Sequence, residues 1–268
     1  MNLEPTKSKT EARSCLFCGS VANSREHVIP EWLSKRMAIR HLEFHPAHFG
    51  ETKGLQVRPP IRCEYLKTKH VCNKCNVGWM SELEVWAQNH FGDYVEPNIA
   101  FDDLVGLLPI REEPSIIIRW LLKTAIMVEK ALPRGAEGKV VPALNPVAFG
   151  TKDPTDFFVW AAYVDKPNFN LHLVRGFPVW NGGILQPFQI HAESMDFALQ
   201  LNHLALRLFR CPDASPTFKA AVLYPDDFRA APMHLTMKIP FPFPNRPIYP
   251  TFELFRDALE VNANLSNE

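Results

Sequence analysis

The sequence predicts an α+β protein, with a cysteine-bound N-terminal module, a central helix and a mainly β C-terminal region. Three observations predict this order. Two Cys-x-x-Cys pairs lie at the two ends of the first segment. After this segment, apolar residues recur at the spacing of a helix, and the remainder contains short runs of aromatic or β-branched residues that are typical of strands. The chain has 268 residues, of which 46% are hydrophobic, so it can bury a sizeable core.

The domain organisation is predicted from changes in amino-acid composition and in the spacing of apolar residues along the chain. Residues 1–14 are polar and charged, and we expect a flexible tail there. Residues 15–91 form the cysteine-bound module, residues 92–113 form a proline-rich linker, and residues 114–268 form an α+β domain. Proteolysis should therefore separate the two large segments within residues 92–113.

The central helix is the clearest single element. Pro114 suits its first turn, Ile117, Leu121, Val128 and Leu132 make one apolar stripe, and Pro133 ends it. Further runs predict strands at 157–164, 170–174, 186–191 and 220–224. Residues 197–209 fit a helix or bent strands, and we favour strands. Residues 252–261 predict a last helix.

The four paired cysteines predict a structural zinc site. Cys15 and Cys18 form one pair, and Cys72 and Cys75 form the other. Two intervening residues let both thiolates of a pair turn onto one ion, and two pairs complete a tetrahedron. Such a site leaves no open position, so it stabilises the fold without doing chemistry. Cys63 falls outside the pattern and is expected to be a buried thiol or a spare ligand.

Charge and hydropathy indicate which partners and which location to expect for the protein. The formal net charge is zero, but residues 1–90 carry 13 Lys and Arg against 9 Asp and Glu, a modest bias that favours phosphates. The most apolar run, residues 116–128, is too short and too charged to cross a bilayer, so we expect no membrane contact. The first residues carry no export signal, and we expect a cytoplasmic protein with reduced thiols.

A carboxylate and a histidine stand side by side between the cysteine pairs. Glu26 and His27 lie in the run Ser-Arg-Glu-His-Val-Ile-Pro, which is extended in character. Adjacent side chains on a strand point to opposite faces, so a bend is needed to bring the two groups to one site. A neutral histidine can take a proton from water, and a carboxylate suits a hard divalent ion.

The second cysteine pair leads into a helix. Asn76 follows Cys75 directly and stands at the expected helix start, where amide groups favour a phosphate. As an alternative, Asn76 is only the N-cap of that helix. Trp79, Leu83, Trp86 and His90 share a stripe that should face the core.

These motifs together resemble the HNH, or ββα-metal, endonucleases of the zinc-containing treble-clef kind. The resemblance is carried by Cys-x-x-Cys, then Glu-His-Val-Ile-Pro, then Cys-Asn-Lys-Cys-Asn, and it covers about 75 residues. It implies that His27 is the general base, and that Glu26 and Asn76 hold a catalytic Mg²⁺ or Mn²⁺. It also implies that the four cysteines hold structural Zn²⁺.

The chain departs from the family pattern at two points. The family usually has an asparagine before the second cysteine pair that braces the catalytic loop, whereas here residues 67–70 read Lys-Thr-Lys-His. Thr68 or His70 is then the candidate brace. The Glu-His pair also lies farther than usual from the second cysteine pair. Glu84, 80° around an ideal helix from Asn76, is a further candidate at the metal.

The resemblance implies a nuclease that hydrolyses phosphodiester bonds of DNA, more than of RNA, in bacterial defence or mobile elements. Residues 114–268 would recognise a substrate or a protein partner. The alternative is a zinc-stabilised module that binds nucleic acid or protein without catalysis. His41, His45 and His48 have metal-like spacing, but Pro46 interrupts any helix, and we interpret them as a surface loop.

Overall fold

The computed structural model describes residues 13–44, 47–50, 54–57, 59–98, 114–131, 157–175 and 195–210, with six two-residue strands between 180 and 260. Residues 1–12 of the predicted tail, most of the predicted linker and the strand at 186–191 lie outside the described residues, whereas Ser14 of the predicted tail forms a bridge with Val21. The helices are α1 (Glu31–Arg36), α2 (Asn73–Cys75), α3 (Ser81–Phe91) and α4 (Pro114–Ala131). The strands are β1 (Ser24–His27), β2 (Glu43–Phe44), β3 (Ala47–Gly50), β4 (Gly54–Val57), β5 (Ile61–Arg62), β6 (Lys67–Val71), β7 (Phe157–Arg175), β8 (Trp180–Asn181), β9 (Ile184–Leu185), β10 (Met195–Arg210), β11 (Ala221–Val222), β12 (Met233–His234), β13 (Ile248–Tyr249) and β14 (Leu259–Glu260). Helix and strand are thus mixed, as the sequence predicts.

The N-terminal module is an antiparallel strand pair followed by a helix. Strand β1 pairs with β6, with Glu26 opposite Thr68 and His27 opposite Lys67. The register shifts between Ser24 and Glu26, so an irregularity lies directly beside the acidic-histidine pair. Two residue steps on β1 stand opposite three on β6 at this point, so the extra residue lies on β6 and the alternation of side chains along β1 is kept. Between the two strands the chain makes α1 and two short antiparallel ribbons, β2–β5 and β3–β4.

The helix after the second cysteine pair buries a different face from the one that the sequence predicts. A five-residue π-helical stretch, Asn76–Met80, joins α2 to α3, and Gly78 within it has non-helical dihedrals (φ −90°, ψ −123°). A π-helical turn is wider than an α-helical turn, so it rotates the buried face of the helix that follows. The stretch Asn76–Met80 is called the wide turn below. The expected core stripe is therefore only partly correct, because His90 is exposed. The buried face instead carries Met80, Leu83, Ala87 and Phe91.

Helix α4 is the centre of the molecule. The helix is confirmed over Pro114–Ala131 with its stripe at Ile117, Leu121 and Val128, whereas Leu132 lies outside the described residues. Burial extends around its circumference, with every residue from 117 to 128 except Arg119 buried. One side packs on α3 and β6, and another packs on β7 and β10. A helix covered on both sides has no wide polar face, which explains its apolar sequence.

The C-terminal region is built on a bent antiparallel hairpin. Strands β7 and β10 pair along their lengths, and the register breaks where Asn202 lies opposite Asn168 but Leu204 lies opposite Tyr163. Asn202 has a positive φ of 54° at this corner. The bend folds β10 back on itself, so that Arg207 Nε donates to Asp196 Oδ1 at 2.7 Å, eleven residues away in the sequence.

The strand interpretation of 197–209 is confirmed by β10, and the runs at 157–164 and 170–174 both lie within β7. Of residues 252–261, the structure describes only Leu259–Glu260, which form a strand paired with Ala221–Val222. The prediction of a last helix is therefore wrong at its C-terminal end, where strand pairing prevails over local helix preference.

The two predicted segments share one hydrophobic core. It runs from Cys15 and Phe17 in the first segment, through α4, to Leu208 in β10. His203 of β10 lies between two backbone carbonyl groups: its Nδ1 is 2.8 Å from Val164 O in β7, and its Nε2 is 3.1 Å from Pro97 O. Separation at residues 92–113 stays a prediction.

Among the helices that the structure describes, none combines the length and the apolar character needed to cross a bilayer. Helix α4 is the longest described element of that type, and it contains the fully buried Lys123.

The central position of α4 predicts a large stability effect for a cavity at its buried face. Leu121 is 0% exposed, so Leu121→Ala should lower the free energy of unfolding by ~2–5 kcal/mol. Val85→Ala is the control, since Val85 is 54% exposed on α3, and its effect should stay within about 0.5 kcal/mol. Urea unfolding monitored by tryptophan fluorescence measures both. A Leu121→Ala effect as small as that of the control would contradict the central role of α4.

Candidate functional site

The four paired cysteines converge as predicted. The sulfur atoms of Cys15, Cys18, Cys72 and Cys75 all lie within 4.8 Å of one another. A tetrahedron with metal–sulfur bonds of ~2.3 Å has sulfur atoms about 3.8 Å apart, so the spacing fits one ion. Four thiol ligands in this geometry are compatible with zinc.

Local backbone geometry turns each pair toward the ion. In the first pair, Gly19 N donates to Cys15 O at 3.0 Å, and Gly19 has a φ of 74° that favours glycine. In the second pair, Cys72 is the N-cap of α2, and its sulfur accepts from Cys75 N at 3.4 Å. The N-cap of this helix is therefore Cys72, and the alternative that Asn76 caps it is wrong.

Burial differs among the cysteines. Cys15, Cys72 and Cys75 are buried, whereas Cys18 is exposed. Hydrogen bonds from Ser20 lower the pKa of Cys18 to about 6, and burial raises the pKa of Cys75 to about 12. Cys63 is buried outside the group, and burial raises its pKa to about 11. The geometry thus assigns Cys63 as a buried thiol and not a ligand.

Strand β1 and the start of the wide turn bring Glu26 and Asn76 together. Ser24 and Glu26 are two residues apart on β1 and so share one face of the strand. Asn76 Nδ2 donates to Ser24 Oγ at 2.6 Å, and a hydrogen bond from Asn76 also acts to lower the pKa of Glu26. An amide and a carboxylate lie side by side here, and both supply oxygen atoms of the kind that hard divalent ions prefer.

Glu26 also contacts a buried cation that the sequence analysis did not assign to the site. Lys123 of α4 is 0% exposed, and its Nζ lies 3.4 Å from Glu26 Oε1. The same Nζ contacts Glu84 Oε1 more closely. Burial acts to lower the pKa of Lys123, but the two carboxylates outweigh it and hold the pKa above its ordinary value. Lys123 is therefore charged, as a buried lysine with anionic partners should be.

Glu84 is held by two indoles in addition to Lys123. Trp32 Nε1 donates to Glu84 Oε2 at 2.9 Å, and Trp120 Nε1 donates to the same oxygen at 3.2 Å. The group formed by Glu26, Asn76, Glu84, Lys123, Trp32 and Trp120 is called the Glu26 cluster below. It joins β1, α1, the wide turn, α3 and α4, so residues far apart in the sequence meet at one place.

Burial has the largest effect on Glu26. It raises the pKa of the carboxyl above its ordinary value, while Lys123 acts in the opposite direction and Glu84 acts in the same direction as burial. The side chain is 13% exposed, so it is partly buried. A partly buried carboxylate beside an amide is a suitable position for a ligand.

His27 has a different set of neighbours. Burial and then the nearby Lys67 lower the pKa of His27, with further lowering from Arg40 and Lys35, while Glu31 raises it. None of these groups belongs to the Glu26 cluster, as expected for adjacent residues on a strand. The imidazole is consequently neutral at pH 7, and cations surround it.

Residues 67–70 stand where the family usually has an asparagine, and two side chains within this segment contact each other. Thr68 is buried and pairs with Glu26 across the sheet, and its Oγ1 lies 2.7 Å from His70 Nδ1. Both candidate braces therefore take part in one hydrogen bond. Leu16 N also donates to His70 O at 3.0 Å, which ties the first cysteine pair to β6.

Lys123, Trp32 and Trp120 belong to the site although no motif in the sequence assigned them to it. A signal for Lys123 was present, because it interrupts the most apolar run of the chain, and lysine is almost never fully buried without a partner. No local signal pointed to the indoles. Of the histidine trio, His41 is exposed and lies 3.4 Å from Glu64 Oε1, only the backbone of His48 is described, and His45 lies outside the described residues.

Comparison with known proteins found no matching family model, no matching curated protein and no matching solved structure.

The cysteine geometry predicts one zinc ion per chain. Cys72→Ser should lose the zinc and unfold the N-terminal module, because a structural zinc supplies folding free energy of ~10 kcal/mol or more in small domains. Elemental analysis of the purified protein gives the zinc content, and circular dichroism gives the fold. The control Cys63→Ala should keep one equivalent of zinc. Pure folded protein without zinc, or equal zinc loss in both variants, would contradict the assignment.

Proposed function

We propose that the chain is a metal-dependent nuclease that hydrolyses phosphodiester bonds of DNA. The observation that carries the proposal is the adjacency of Glu26 and Asn76, on a strand pair and helix start bracketed by the four cysteines. The β1–β6 pair followed by a helix is the arrangement that an HNH-type site requires. The choice of DNA, and a role in bacterial defence or mobile elements, come from the resemblance of the motifs.

His27 is the general base in this proposal. A neutral imidazole can accept a proton from a water molecule, and burial together with Lys67 keeps His27 neutral at pH 7. Lys67, Arg40 and Lys35 would attract the phosphate and hold it near the imidazole. Glu31 partly offsets these cations, so the surface around His27 is moderately basic.

Glu26 and Asn76 would hold a Mg²⁺ or Mn²⁺ ion through their side-chain oxygen atoms. When bound, the ion would stabilise the charge that develops on the phosphate and on the leaving oxygen. Ser24 would orient Asn76, since its Oγ accepts a hydrogen bond from Asn76 Nδ2. The zinc at the cysteines would hold β1 against the helix start and take no part in the reaction.

The contact with Lys123 favours a second candidate, a zinc-stabilised module that binds nucleic acid or protein without catalysis. A buried ammonium already neutralises part of the Glu26 charge, and the usual bracing asparagine is absent. Incubation of the zinc-loaded protein with plasmid DNA, with Mg²⁺ or Mn²⁺ present or absent, distinguishes the two. Cleavage that depends on the added ion supports the nuclease, and binding without cleavage supports the module.

His27→Ala should abolish cleavage while the zinc content and the melting temperature change little. Removal of a general base typically costs ~10²–10⁴-fold in rate. The measurement is the rate of plasmid nicking, with elemental analysis and thermal unfolding as readouts of structure. His41→Ala is the matched control, because His41 is exposed, and it should cleave at the unmodified rate.

Glu26→Ala and Asn76→Ala should also lose cleavage, but through weaker binding of the ion. Higher Mg²⁺ or Mn²⁺ should partly restore these two variants and should not restore His27→Ala. If His27→Ala cuts DNA at the unmodified rate, the proposed mechanism is wrong and the binding module takes its place.

A further inference from the structure

Two carboxylates contact Lys123, and their surroundings differ. Both oxygens of Glu84 are engaged, one by Lys123 and the other by the indoles of Trp32 and Trp120. Glu26 contacts Lys123 at 3.4 Å, longer than the ~2.7–2.9 Å usual for a charged hydrogen bond between nitrogen and oxygen. Lys123 is therefore primarily the partner of Glu84.

This difference decides which carboxylate is free to bind another cation. Glu84 is fixed by three donors, so an ion could reach it only by displacing them. Glu26 has one longer contact with the ammonium, at 3.4 Å, and lies beside Asn76. The described part of the chain thus offers Glu26, and not Glu84, as the ligand.

The charges explain why Glu84 is nevertheless needed. Glu26, Glu84 and Lys123 together carry a formal charge of −1 when all three are ionised. Without the Glu84 charge, the ammonium would have Glu26 as its remaining anionic partner in the Glu26 cluster. A buried ammonium so close to Glu26 would then pair with its carboxylate and repel an approaching divalent cation.

We propose that Glu84 is a positioning residue: it takes up the charge of Lys123 and so leaves Glu26 able to bind a divalent cation. The inference rests on the proposed role of Glu26 as a metal ligand. It makes helix α4 part of the ion site, because Lys123 belongs to α4, and it assigns Glu84 an indirect role and not that of a ligand.

The test is Mn²⁺ binding to the full-length, zinc-loaded protein, measured at one pH from the electron paramagnetic resonance signal of free Mn²⁺. Glu84→Gln should weaken Mn²⁺ binding about tenfold or more, because Lys123 then pairs with Glu26. Glutamine keeps a carbonyl oxygen that can accept from both indoles, so the packing is retained.

Lys123→Met should strengthen Mn²⁺ binding, since a positive charge beside Glu26 is removed. The double variant Lys123→Met with Glu84→Gln should bind Mn²⁺ within about threefold of the unmodified protein, because the formal charge of the cluster returns to −1. A stability defect would weaken binding in all three variants, so this pattern separates the charge effect from loss of packing.

Lys130→Met is the matched control for a lost charge on the same helix, because Lys130 pairs with Glu129 at 3.6 Å, outside the Glu26 cluster. It should leave Mn²⁺ binding unchanged. The inference is overturned if Glu84→Gln binds Mn²⁺ like the unmodified protein, or if the double variant fails to restore binding. It is also overturned if Lys123→Met weakens binding.

Glu26→Gln distinguishes this inference from the proposed function. If Glu26→Gln abolishes Mn²⁺ binding and Glu84→Gln does not affect it, Glu26 is a ligand and only the role of Glu84 is wrong. If Glu26→Gln binds Mn²⁺ normally, or if the unmodified protein binds none, the proposed metal site itself is wrong and the inference falls with it.

Discussion

Convergence of four thiols from distant parts of the chain is the constraint on which the rest of the N-terminal module depends. Cys18 and Cys72 are 54 residues apart, yet their sulfur atoms lie 3.4 Å from each other. This convergence aligns β1 with β6 and holds the start of the helix against β1, so that Asn76 reaches Ser24 and Glu26. An ion at these four thiols would compensate for the ordering entropy of the long insertion between the two pairs.

The second constraint is the buried charge of Lys123. An ammonium that is 0% exposed is tolerated only where anions surround it, and the two carboxylates come from different elements, β1 and α3. The ion pairs therefore specify how α4 docks on the module, in addition to the apolar contacts. The same contacts place a cation from the second predicted segment beside the proposed catalytic residues. Glu26 therefore takes part both in the docking of α4 and in the proposed metal site.

Much of the candidate site could be predicted from the sequence because its signals are local. The spacing within each cysteine pair, the adjacency of Glu26 and His27, and the position of Asn76 after Cys75 are visible as short motifs. Helix α4 could also be predicted, since a stripe of apolar residues with a proline near each end is a local pattern. The stripe on α3 was predicted only in part, because the wide turn at Asn76–Met80 changes the face of the helix without a clear sequence signal.

Short patterns in the chain were sufficient to predict the two cysteine pairs, the strand that carries Glu26 and His27, and the position of the central helix, because each pattern involves residues close together in the sequence. The folded structure was needed to show that Cys63 lies outside the cysteine group and that α4 is covered on both sides. Only the tertiary structure, too, placed Lys123 between Glu26 and Glu84, which are 97 and 39 residues away in the chain. Local patterns report which face of an element is apolar. The partner of a buried charge depends on how distant elements dock, and this information lies in the packing of the whole core.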